Sequence, residues 1–369
     1  MNRLFRWDQM GLFLLALAAG ILPFAVPEVC AAALREGLTL CSGPLLLSLF
    51  PFLVVSRLLI QCPESDLLAL PFRLAAWGIG IRTPCAARVL CIGFLGGFAP
   101  AASAAAQAVR TGQLTAEEAD ALLPACICSG PSFVVLTVGQ SLLGSAELGV
   151  LLFASQITAN YLTAALLNRF AGVRSVKPGS AAPASPAPPR LDEILADAAI
   201  TYCKLCGFIL FFRMLAAGAG ALLPAGVGTL CSILLEVCSG CDLASRTGRW
   251  GSLLCCAALS VQGLSVLLQV RTICPPEMTL RPLYRARMLH LPLSLALFYL
   301  LLPGGEADVF STLPARVLLM RRVPPDCALL VFAVCCMAAC TLRSGIRQVE
   351  QKQMARNAGG CCINSKTLL

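Results

Sequence analysis

Long stretches without a single charged side chain recur from one end of this sequence to the other. Met10–Pro27, Val89–Val109, Ala121–Ala146, Leu148–Asn168, Met214–Leu235, Trp250–Val270 and Leu289–Gly305 contain no Asp, Glu, Lys or Arg. A helix needs about 20 mostly apolar residues to cross the hydrocarbon core. The stretches are continuously apolar and lack the alternation of a barrel strand. Backbone amides and carbonyls must find partners within lipid, which leaves the helix as the solution. The chain is therefore expected to be all-α, a polytopic helical membrane protein. Only 13% of its 369 residues are charged and its mean hydropathy is +0.81. Soluble domains carry about 25% charge.

The first stretch follows Arg3 and Arg6 and precedes small residues at Cys30–Ala33, as a secretory leader would. Apolar spans continue behind it, so a retained first helix is the expectation. The formal net charge of +9 would suggest nucleic acid in a soluble protein. Here the basic residues gather between spans and towards the end, among them Arg169, Arg174, Lys177, Arg190, Arg343, Arg347 and Lys352. Basic segments stay in the cytoplasm, so the charge reports orientation. The lipid bilayer of the cell membrane is the expected partner, crossed several times, and no nucleic acid is expected.

Residues 171–190 are rich in Pro, Ala and Ser and read as an exposed linker. They divide the chain. Residues 1–39 are expected to be an N-terminal membrane helix with an interfacial segment, and 40–170 a first repeat. Residues 191–305 form a second repeat, 306–342 a last membrane helix and 343–369 a polar tail. Behind the linker, Leu191–Ile200 has apolar residues at helical spacing with acids between, as in a short helix on the membrane surface.

The order of features on the two sides of the linker is the same. Each side has an apolar helix with one arginine, Arg57 or Arg213, then a helix interrupted by small residues, a second interruption and a long helix. A duplicated membrane unit has this form. The interruptions contain Gly96, Gly97, Pro100, Gly130 and Pro131 in the first half, and Ser239, Gly240 and Gly263 in the second. Gly93 and Gly97 also fit close helix packing, whereas proline serves no packing purpose and disrupts the helical ladder. Freed backbone groups need protein or a wet cavity, so paired breaks point to a midplane site. Ser129, Ser132, Glu236, Gln262 and Ser265 lie in or beside the breaks and are the candidate polar site. Thr115 and Glu118 have capping-box spacing, so Leu95–Arg110 reads as a half-helix, a turn and a returning piece, a re-entrant hairpin.

Cysteine occurs 21 times. Cys203 with Cys206, and Cys238 with Cys241, have ligand-like spacing, but lie in or near apolar runs without zinc-ribbon context. Cysteine also serves as a small buried hydrophobe, and no metal site is expected. Arg57 and Arg213 are expected to snorkel towards headgroups. His290, the only histidine, is expected at the interface.

The runs Gly97–Ala104 (GFAPAASA), Gly112–Ala119 (GQLTAEEA) and Ser129–Phe133 (SGPSF) resemble the Gate, or nucleoside-recognition, membrane domain. The nearest form is the sporulation integral membrane protein of the YlbJ type. Leu234–Gly240 (LLEVCSG), Ser260–Val266 (SVQGLSV) and Leu283–His290 (LYRARMLH) extend the resemblance from about residue 40 to 300. Before Gly130 the chain departs from that pattern, with Cys126, Ile127, Cys128 and Ser129 where many relatives carry asparagines. The resemblance implies two Gate-type repeats, a role in spore formation through cortex assembly, and carriage of a small polar solute. The alternative is a non-transporting scaffold that organises a sporulation complex. A second copy of the chain or other sporulation membrane proteins are the protein partners it leaves open. With one histidine, and neither a nucleophile elbow nor a phosphate loop, no enzyme and no cofactor are expected.

Overall fold

A computed structural model describes residues 2–61, 63–171 and 190–302, and every regular element among them is helical. The first half contains α1 (Asn2–Ala25), α2 (Pro27–Ser42), α3 (Pro44–Gln61), α4 (Leu70–Gly78), α5 (Pro84–Gly96), α6 (Phe98–Arg110) and α7 (Ala116–Cys126). A π-helix, Ser132–Leu142, and α8 (Ala146–Ala171) complete it. The second half contains α9 (Leu191–Leu222), α10 (Ala225–Leu235), α11 (Val237–Ser245), α12 (Gly251–Val261), α13 (Gly263–Ile273) and α14 (Arg281–Leu301).

Local chemistry sets the helix starts. Proline in the first turn opens α2, α4, α5 and α14, where its missing N–H costs nothing. Thr115 and Glu118 form the reciprocal cap of α7: Glu118 N donates to Thr115 Oγ1 at 3.1 Å, and Thr115 N to Glu118 Oε2 at 3.2 Å. Pro27–Gln61, Ala146–Ala171, Leu191–Leu222 and Gly248–Ile273 are long and apolar enough to cross a membrane. The chain is an all-α membrane protein.

Two expected boundaries differ from the structure. Leu191–Ile200 is no separate surface helix but the first part of α9, because no Gly or Pro interrupts the chain there. Ile194, Ala196 and Ala198 are already buried in the bundle. The boundary at residue 40 falls inside α2. The helix expected at 306–342, the tail, and the linker between Ala171 and Arg190 lie outside the described residues.

The interruptions are of two kinds. A Cβ placed on Gly93 would stand 3.2 Å from the Cβ of Ala101, although eight residues of straight helix span about 12 Å. The chain therefore doubles back, and α5 and α6 pack side by side as a hairpin. A Cβ on Gly240 would stand 2.8 Å from Ile233 Cα, so α10 and α11 form a second hairpin. By contrast, α7 and the π-helix follow one another across an unwound segment at 127–130, and α12 and α13 across Gln262.

The two hairpins open at opposite ends of the bundle. The first opens where α9 begins: Arg110, ending α6, donates to Ile273 O at the end of α13, and Asp120 of α7 accepts from Thr279 N and Leu280 N just before α14. The second opens at the far end, where Gly228 of α10 lies against Gly220 of α9 and Gly251 of α12 against Ser245. The halves are inverted with respect to each other. One core cluster joins them, from Ala86 and Leu122 to Leu259 and Phe298.

Candidate functional site

In each half the hairpin tip presses backbone against backbone on the unwound segment. Gly97 forms the first tip with φ +81°, and a Cβ there would stand 2.6 Å from Gly130 N. Only glycine meets both demands. In the second half Gly263 has φ +69°, and its Cβ would stand 2.9 Å from Glu236 N at the other tip. Gln262 Nε2 approaches Ser129 Oγ at 3.5 Å and links the two unwound segments.

The expected break residues fall into two groups. Gly96 ends α5, Gly97 is the turn, Gly130 lies in the unwound segment, Pro131 opens the π-helix with helical backbone angles, and Gly263 opens α13. Pro100, Ser239 and Gly240 are not in the breaks but in the first turns of α6 and α11. Proline is tolerated there because first-turn amides have no acceptor within the helix.

Glu236 is 2% exposed and caps α11. Its Oε1 accepts from Cys238 N at 2.8 Å and its Oε2 from Ser239 N at 2.7 Å. A carboxylate held by two amides at a helix N-terminus is stabilised by the helix dipole as well as by hydrogen bonds. At the matching tip Gly97 offers no side chain, and no side chain caps α6.

Beside these tips lies a cavity of about 50 Å³, lined by Ser129, Ser132, Glu236 and Gln269 and by apolar groups including Leu49 and Phe98. It holds no more than a few waters' worth of space. The starts of α6, the π-helix and α11 all border it, so partial positive charge from three half-helices faces one space. Of the five polar residues expected to form a site, Ser129, Ser132 and Glu236 line this cavity, whereas Gln262 and Ser265 do not. Ser265 stands behind it, accepting from Gln269 Nε2 at 2.9 Å.

Several polar residues at this junction were not singled out from the sequence. Gln269 lines the cavity with its Oε1 buried and without a partner. Arg287 is 8% exposed, and its guanidinium donates to Ile127 O and to Ser260 O at 3.3 Å. These carbonyls end α7 and α12, so one cation answers the negative ends of both first half-helices. Asn160 Nδ2 reaches Ile127 O at 3.4 Å and Gln156 Nε2 reaches Ser260 Oγ at 2.9 Å. The signal was present as a charge and amides in otherwise apolar helices, but α14 begins eight residues before Leu289, where the charge-free stretch starts, and thereby draws Arg287 inside.

Two further expectations change. His290 is not interfacial: it is 1% exposed, with Nε2 3.2 Å from Gln156 O. Arg57 and Arg213 do not snorkel freely but pair with Asp197 at 2.6 Å and Glu36 at 2.7 Å. The Cys203/Cys206 and Cys238/Cys241 pairs lie on different helices, α9 and α11, and no group of three His, Cys, Asp or Glu able to hold a metal forms among the described residues. Comparison of the chain with protein-family models, curated proteins and solved structures finds no match.

Proposed function

We propose that this protein is a multi-pass carrier of the cell membrane that moves a small polar solute through the junction of its four broken helices. One observation carries the reading: two hairpin tips, entering from opposite ends, meet two unwound segments beside one small cavity, whose mostly apolar wall carries Ser129, Ser132, Glu236 and Gln269. Inverted halves with discontinuous helices at their interface are the architecture in which midplane sites are built. Ser129, Ser132, Glu236 and Gln269 are the solute-facing groups in this reading. The resemblance to Gate-type sporulation proteins supports spore formation, through cortex assembly, as the process served. The chemistry is movement of solute and not its conversion.

Uptake by purified protein in sealed vesicles tests the reading, with nucleosides, amino acids and metal ions as probes. Glu236→Gln and Ser132→Ala should reduce uptake at least tenfold while the proteins remain folded. If neither parent nor variants take up any probe and spores form normally with the variants in place, the carrier reading fails. The scaffold reading then stands in its place. The small volume of the cavity, about 50 Å³, is the observation that favours it.

A further inference from the structure

A second cavity, of about 160 Å³, lies at the end of the bundle where the first hairpin opens. Arg57 of α3, Arg110 of α6, Asp197, Thr201 and Lys204 of α9, and Thr272 of α13 line it. Three cations face one carboxylate. Lys204 has no hydrogen bond or ion pair to any described residue, and its side chain is exposed. Arg110 makes one bond of 3.4 Å, to Ile273 O. Arg57 is 7% exposed and reaches Asp197 through Nη1 at 2.6 Å and Thr201 through Nη2 at 3.5 Å. Its Nε–H is buried with no partner. A guanidinium is shaped to meet paired oxygens, and that of Arg110 lines the cavity with a single long bond to protein.

The partial negative ends of α6 and α13 also face this space, and Arg110 answers one of them directly. What remains without a carboxylate partner is the exposed ammonium of Lys204 and the guanidinium of Arg110, beside the paired Arg57. We propose that this cavity binds an oxyanion, a phosphate or carboxylate group held between Arg57, Arg110 and Lys204. Arginine supplies planar two-point recognition and lysine a mobile point charge. The volume admits a small oxyanion with bridging waters.

The position of the cavity adds a role that rests on the carrier reading. α6 and α13 run from this cavity to the central one, and α9 borders both through Leu205 and Ile209. A compact apolar cluster including Leu53, Phe98, Leu205, Ile209 and Ile273 fills the space between. The basic cavity is then the vestibule on one face, the apolar cluster the closed barrier, and the transported solute carries a negative group.

The binding claim is tested apart from transport. The full chain is placed in nanodiscs of uncharged, zwitterionic lipid, and binding of radiolabelled inorganic phosphate is measured. In parallel, native mass spectrometry reads retention of an anionic phospholipid by protein purified from mixed discs. Arg110→Gln with Lys204→Gln should weaken the ligand at least about tenfold, the scale of one charge-assisted hydrogen bond. Arg249→Gln, at the far end of the bundle, should leave it unchanged, and thermal melting confirms that all variants are folded. Phosphate binding in neutral discs that the double variant loses identifies a free oxyanion as the ligand. Lipid retention alone, lost in the same variant, identifies a lipid headgroup phosphate at the same site. Neither ligand bound, or both bound equally by parent and double variant, overturns the proposal. Uptake without phosphate or lipid binding would overturn the vestibule and leave the central site intact.

Discussion

Gln262 reaches towards Ser129 across 3.5 Å, Nε2 to Oγ, from an unwound segment in one half to the unwound segment of the other. Gln262 also sits at φ +65°, a conformation that costs a residue with a Cβ about 1 kcal/mol. Its Nε2 donates as well to Leu259 O at 3.1 Å, which holds the segment in place. Side-chain loss and backbone strain can therefore be separated. Gln262→Ala removes the bonds and keeps the strain, whereas Gln262→Gly removes both. The glycine variant should melt at a higher temperature than the alanine variant, by the equivalent of about 1 kcal/mol.

Gly97 and Gly80 offer a second paired comparison. Both have positive φ, +81° and +89°, but a Cβ on Gly80 would meet nothing within 4 Å. Gly80→Ala should cost about 1 kcal/mol from backbone strain alone. Gly97→Ala adds a collision with the backbone of Gly130, which cannot move aside as a side chain could. Its cost should be about 3 kcal/mol or more, seen as a large drop in melting temperature or loss of folded protein.

Arg287 provides the third. Methionine in its place keeps length and loses both donors, leaving Ser260 O without its guanidinium partner and Ile127 O with Asn160 alone. Removing the buried cation also removes its desolvation cost, so the net loss should be modest, about 1–3 kcal/mol. Lysine keeps charge but cannot span two carbonyls on different helices. Melting temperatures should fall in the order parent, Arg287→Lys, Arg287→Met. A lysine variant as stable as the parent would show that bridging both helix ends contributes nothing.

Orientation can be read by labelling. Ser180 lies in the linker, and basic segments resist translocation. Thr247, between α11 and α12, is exposed at the far end of the bundle. In a cysteine-depleted background, an impermeant thiol reagent applied to intact cells should label Thr247→Cys and leave Ser180→Cys unlabelled. The reverse pattern would invert the molecule in its membrane.

How much of this was legible in the sequence depended on whether a feature was local. Charge-free stretches gave the helical class, and Thr115 with Glu118 marked the start of α7, because both signals lie within a few residues. Gly97 and Gly263 announced breaks for the same reason. The extents of those breaks were misjudged, since Pro100, Ser239 and Gly240 suit a helix's first turn as well as its interruption. Arg57, Arg213 and His290 were placed at the surface because their partners, Asp197, Glu36 and Gln156, stand more than a hundred residues away in the chain. No pattern in the sequence names such a pairing. Arg287 was passed over because its burial depends on where α14 starts and on the two helix ends that meet beside it.

The distance in sequence between Gln262 and Ser129 bears on how the molecule is made. When the first hairpin and the Ser129 segment leave the ribosome, the residues that complete the junction, Glu236, Gln262 and Arg287, have not yet been synthesised. Until then Ile127 O, at the end of α7, has Asn160 as its side-chain partner and lacks the guanidinium of Arg287. The junction therefore closes only after Arg287 has been made, as a docking of one half of the chain on the other.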